Sequence, residues 1–183
     1  VENNYDTKKY WLSELDPNKL ITVDADTSLI LNNIINFIRN NNVNNEPMHI
    51  AIAKWVYNNI QYNEELFGEK MTTKEVALRK EGVCQHIAVL YRDMLRTINI
   101  PATAVDGVAY DTKNQKFEGH SWVLVYHNGE WIPIDPTWNL YSGKLPISHI
   151  FLYKDVDVEL SFTKEGEFND FKVDVVKNVK FIE

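Results

Sequence analysis

Apolar residues recur at spacings of three and four through the first half of this chain and alternate with polar ones through much of the second. The first spacing marks helices that bury one face, and the second marks half-buried strands. Residues 1–23 show no clear period, and Asp16-Pro17-Asn18 marks a turn. Asp26 or Thr27 is placed to cap a helix whose apolar side carries Leu31, Ile34, Ile35 and Ile38. Asn40-Asn41-Asn42-Val43-Asn44-Asn45 then reads as a polar linker. A second helix is expected from Pro47, with Ile50, Ala53, Val56, Tyr57 and Ile60 as its stripe. Thr72 and Glu75 form a capping-box pattern for a short third helix, with Gly82 as its stop. The fourth runs from about Cys84 to Ile98 on a face of Ile87, Leu90, Tyr91, Met94, Leu95 and Ile98. Asn99-Ile100-Pro101 ends it, because proline disfavours helix in the residue before it.

From Thr103 the pattern is that of strands. Thr103–Tyr110, Phe117–Tyr126 and Trp131–Asp135 are expected strands, with a turn over Asp111–Gln115. Asn128-Gly129 joins the last two as a tight hairpin. The tail from Ile150 to Glu183 reads as two or three short strands around Gly166. Helices first and strands later predict an α+β fold. The expected division is an N-terminal helical extension over 1–45, packed on a catalytic domain over 46–183.

Composition narrows the function. Of 183 residues, 26 are acidic and 19 are Lys or Arg, a net charge of −7. Phosphate binding needs clustered cations, so nucleic acid is not an expected partner. No apolar run approaches the roughly 20 residues that span a bilayer. The single cysteine, Cys84, excludes an intrachain disulfide and any multi-cysteine zinc site. No metal and no cofactor are expected. The chain begins at Val1, as a mature chain relieved of a signal peptide would, which leans the expected location towards export or the cell surface.

The candidate chemistry centres on Cys84. A thiol in the first turn of a helix meets unpaired amides and the positive end of the macrodipole, which favour the reactive thiolate. His120 and Asp135 follow downstream. If Asn128 and Gly129 are the two turn residues, His127 pairs with Glu130, and Trp122 falls opposite Asp135. Alternation puts His120 on the face of Trp122, and so on the diagonal from Asp135. Such neighbours lie roughly 7–8 Å apart by their α-carbons, within reach of long side chains. Pro136 should end the ladder there and leave room for a substrate. A slip of one residue would put the two on opposite faces. In this layout Cys84 attacks an amide or ester carbonyl, His120 moves the proton and Asp135 orients the imidazole. The Cys84 N–H donates to the oxyanion, and Gln61 and Tyr62 are candidates for a second donor.

Several segments together resemble the transglutaminase-like superfamily, a papain-like group with a Cys-His-Asp triad in that chain order. They are Ile52-Ala53-Lys54-Trp55-Val56 with Ile60-Gln61-Tyr62, Gly82-Val83-Cys84-Gln85, Ile100-Pro101-Ala102, His120-Ser121-Trp122-Val123, and Trp131-Ile132-Pro133-Ile134-Asp135-Pro136-Thr137. The resemblance covers about residues 47–153, including Phe151-Leu152-Tyr153. It implies Cys84 as nucleophile, His120 as base and acid, and Asp135 as orienting acid. It also implies a papain/transglutaminase-like core, with the cysteine-bearing helix packed on an antiparallel sheet. Bacterial members look more often like peptidases or amidases than cross-linking enzymes. The expected function is therefore cysteine-dependent acyl chemistry on peptide or protein amide bonds. The alternative is a binding module that kept the fold and lost turnover.

Other residues have plainer readings. His86 is expected to be structural, and His49, His127 and His149 have no partner that sequence alone can supply. Trp122, Trp131 and Trp138 suit a core, while Trp122 and Trp138 are also placed to line a substrate groove.

Overall fold

In the computed structural model, described over Leu12 and residues 15–111, 115–145 and 149–154, the fold begins with a 3-10 turn at Pro17–Lys19 capped by Asp16. The tail expected beyond residue 154 lies outside the described residues. Helix α1 is Ala25–Asn40. Its cap is Asp24, ahead of the expected Asp26 or Thr27, because the Asp24 carboxylate accepts from Thr27 N at 2.9 Å. Leu31, Ile35 and Ile38 are buried as the stripe predicts.

Helix α2 is Met48–Asn59, and Pro47 is its cap rather than its first helical residue. The buried face is His49, Ala51, Ile52, Ala53 and Val56. Tyr57 is not part of it; the side chain is 47% exposed. Strand β1 (Gln61–Tyr62) follows. Helix α3 (Thr73–Arg79) carries the expected capping box between Thr72 and Glu75. Its stop is Lys80, in the left-handed conformation at φ 58°, and not Gly82. Gly82 instead belongs to strand β2 (Glu81–Gly82), which pairs in parallel with β1.

Helix α4, Cys84–Thr97, buries Ile87, Leu90, Tyr91, Met94 and Leu95 and packs on β3 (Ala102–Asp111) and β4 (Lys116–His127). Strands β5 (Glu130–Ile134) and β6 (His149–Lys154) complete an antiparallel sheet in the order β5-β4-β3-β6. The fold is α+β, as the pattern predicts. Asn128 and Gly129 have φ of 52° and 86°, so both turn residues are left-handed, and the register runs from His127–Glu130 to Val123–Ile134.

Alternation divides the sheet into two faces. Ala102, Ala104, Val123, Val125 and Ile134 join the core under the helices. Val105, Trp122 and Leu124 form a second cluster with Leu12, Leu15, Trp131 and Leu145 against it. The β3–β6 register shifts between Asp106 and Gly107. A Cβ at Gly107 would lie 2.2 Å from the Ile150 carbonyl oxygen and 2.6 Å from the Trp122 ring. Only glycine lets β6 come this close to β3.

Candidate active site

Gly82 and His86 build the end of the helix that carries Cys84. Val83 has no side chain that can cap, so His86 Nδ1 accepts from Val83 N at 3.3 Å. His86 Nε2 lies 2.9 Å from the Glu69 carbonyl oxygen, to which it donates. A Cβ at Gly82 would meet His86 Cβ at 2.8 Å, so glycine is required for this arrangement. His86 is structural, as expected. Cys84 is buried at the first helical position.

The hairpin supplies the other half. The β4–β5 ladder stops at Val123–Ile134, and β4 from Trp122 to His120 has no β5 partner. Asp135 leaves the ladder and bridges Leu140, giving an N–H···O bond of 2.8 Å and receiving one of 2.9 Å. His120 Nε2 lies 2.7 Å from Asp135 Oδ2, the diagonal contact that the register implies. The other carboxylate oxygen, Oδ1, accepts from Thr137 N at 2.9 Å and Trp138 N at 3.2 Å. Asp135 is thus both a turn former and the partner of an imidazole, one oxygen for each.

Charge at the site follows from burial and these bonds. The His120 side chain is 4% exposed and Asp135 is fully buried. Burial opposes a charge on His120, but hydrogen bonds with Asp135 and Cys84 outweigh it, and its pKa is raised to about 9. Burial pushes the Asp135 carboxyl up, while bonds from His120 and His149 pull it below the usual carboxylate value. Trp138 stacks on His120 with centroids 4.2 Å apart at 19°, a face that favours the cationic ring.

Cys84, His120 and Asp135 are therefore in one place. Tyr62, about half exposed, lies beside them, and its partial burial together with the neighbouring Cys84 thiol raises its pKa. Gln61 precedes Tyr62 on β1, so its side chain points to the other face of the strand. Trp122 is 3% exposed and belongs to the second apolar cluster, with its ring 6.2 Å from His120. Trp131 packs on Tyr126 at 5.2 Å. A cleft of about 350 Å³ runs beside the site, lined by Val56, Tyr57, Ile60, Tyr62, Ile87 and Thr137 among others. Among the described residues, no charged side chain lines it.

His149 is the residue that pattern reading misses. Its Nε2 lies 3.2 Å from Asp135 Oδ2, and its side chain is 2% exposed. Nothing in the local sequence signals this, because β6 reaches the site through a shifted long-range pairing with β3. His120, Asp135 and His149 offer ligand atoms within 4.8 Å of one another. The 2.7 Å contact is a hydrogen-bond distance. Two ligands of one tetrahedral zinc would sit roughly 3.3 Å apart, so the set reads as hydrogen-bonded groups.

Comparison with known proteins follows the same lines. The family described as the transglutaminase-like superfamily matches residues 34–136. No curated protein matches. Among solved structures, the fold is similar to a candidate cysteine protease from Cytophaga hutchinsonii, at 20% identity and a TM-score of 0.52 over 76% of this chain and 52% of that one. It is also similar to the periplasmic domain of TgpA from Pseudomonas aeruginosa, at 18% identity and a TM-score of 0.51 over 69% of this chain and 49% of that one. The chain spans about half the length of both structures, and at these identities the likeness is one of fold.

Proposed function

Because the chain belongs to the transglutaminase-like superfamily, we propose that it performs acyl transfer on peptide or protein amide bonds through a thioester on Cys84. The observation that carries this reading is one imidazole placed between the other two groups: His120 holds Asp135 at 2.7 Å, and the neighbouring Cys84 thiol helps to raise its pKa.

The steps follow from that contact. The Cys84 proton passes to the ring nitrogen of His120 that Asp135 leaves free, giving a thiolate–imidazolium pair. The sulfur attacks the carbonyl carbon, and the carbonyl π pair moves onto oxygen. The Cys84 N–H and the Tyr62 hydroxyl are the donors for that oxyanion. Collapse breaks the C–N bond, and His120 gives its proton to the departing amine. Water or a second amine then attacks the thioester and passes a proton to His120, which returns it to sulfur. Asp135 stays ionised throughout and holds the imidazolium in line. The uncharged cleft suits a neutral substrate side chain.

The test uses electrophiles, since the substrate is unidentified. A panel of acyl and peptide electrophiles, with adducts mapped by mass spectrometry, should modify Cys84. Iodoacetamide should label Cys84 below pH 7 faster than it labels free cysteine, and His120→Ala should suppress this. Labelling no faster than free cysteine, and unchanged in His120→Ala, would overturn the proposal.

A further inference from the structure

Asp135 Oδ2 receives two imidazoles, those of His120 and His149. We propose that His149 is a positioning residue: by donating to Asp135 Oδ2 beside His120, it sets how strongly that carboxylate holds the His120 imidazolium. This rests on the site reading above, and it assigns a role to a residue outside the matched segment 34–136.

The geometry separates charge sharing from simple orientation. The carboxylate is already oriented by Thr137 N and Trp138 N on Oδ1. His149 adds a donor to the other oxygen, at 3.2 Å against 2.7 Å for His120. Two donors on one oxygen divide its charge, so each is held less tightly than it would be alone. The placement of His149 is built, not incidental. Its ring meets those of Trp122 and Trp138 nearly edge-on, at 5.3 and 5.2 Å. The β6 backbone that carries it approaches β3 only because residue 107 is glycine.

The ionisable groups around His120 come from each packed element. Among the described residues, Cys84 comes from α4 with Tyr62 of β1 beside it, Asp135 from the segment after β5, and His149 from β6. Removing the His149 donor returns electron density to Oδ2. Asp135 then becomes more basic, and His120 keeps its proton to higher pH.

The experiment is the pH profile of Cys84 alkylation by iodoacetate. The reagent is anionic, so the His120 imidazolium speeds the reaction and loss of its proton gives an alkaline limb. His149→Phe keeps a ring between the tryptophans and removes the donor. Its alkaline limb should move up by roughly half a unit to one unit. His149→Gln keeps an N–H donor and should return the limb to the wild-type position. His149→Asn, too short to reach, repeats the measurement should the phenylalanine variant not fold. A merely structural role lowers amplitude or melting temperature and leaves the limb where it was. Coincident limbs in wild type and His149→Phe, with a bell-shaped profile in both, would overturn this inference alone. A wild-type profile with no alkaline limb would overturn the reading of the site, and this inference with it.

Discussion

The two sides of the His120 ring are built differently. On the sheet side, Asp135 is fully buried and accepts from His120, His149, Thr137 N and Trp138 N. On the helix side, Cys84 neighbours the ring, and Tyr62 lies beside Cys84 and lines a cleft with no charged side chain among the described residues. One nitrogen is held in a saturated network, and the other faces groups that can move a proton. The contrast separates holding from reacting. Substitutions of the groups on the sheet side should cost stability and chemistry together, and removal of the Tyr62 hydroxyl on the helix side chemistry alone.

Asp135 is where the contrast breaks most visibly. Asp135→Ala leaves buried donors without an acceptor and should lower unfolding free energy by about 3–5 kcal/mol in urea titrations. Asp135→Asn keeps much of the shape but favours the wrong imidazole tautomer, and should slow acylation of Cys84 by an activated ester roughly 10³–10⁴-fold. An Asp135→Asn variant with near-normal acylation would remove the sheet side from the proposed chemistry.

Tyr62→Phe tests the other side. It deletes the proposed second oxyanion donor and should slow acylation about 10²-fold, with a urea midpoint close to wild type. A large loss of stability here would erase the distinction between the two sides.

Gly82→Ala probes the helix end that presents the thiol. The new Cβ displaces the His86 ring from its capping position. Unfolding free energy should fall by roughly 1–2 kcal/mol, and Cys84 labelling should slow through misplacement.

The same pair also sets a pH dependence. His120 is raised to about 9 from an unfolded value near 6.5, so its contribution to stability is complete below 6.5 and lost as pH rises through 9. Asp135 is lowered from 3.8, so its contribution is complete above 3.8 and lost as pH falls through its lower folded value. Stability from the pair should therefore be greatest between about pH 4 and 6.5. Urea midpoints of wild type and His120→Ala should converge as pH passes 9. Parallel curves from pH 5 to 10 would mean that the pair carries no charge.

Local signals placed most of the site. Asn128-Gly129 dictates a two-residue turn, the turn dictates the register, and the register brings His120 to Asp135. Thr72 and Glu75 start α3 as their spacing predicts. Misreadings arose where neighbouring candidates compete for one role. Asp24, Asp26 and Thr27 are all cap formers, and the winner is the one whose carboxylate reaches Thr27 N. The residue type of Gly82 alone suggests a helix stop, whereas Lys80 takes the left-handed position and Gly82 makes room for His86.

The chain by itself determined what spacing along a few residues can carry: four helices, the hairpin and the diagonal that joins its two polar side chains. A turn type and a period of two are properties of adjacent backbone, so they survive without the rest of the molecule. Only the tertiary structure decided which side of His120 meets Cys84, that Tyr62 rather than Gln61 reaches the thiol, and that His149 shares Asp135. Those contacts join α4, β1 and β6 across long loops, and their distances depend on packing and a shifted register rather than on any local pattern.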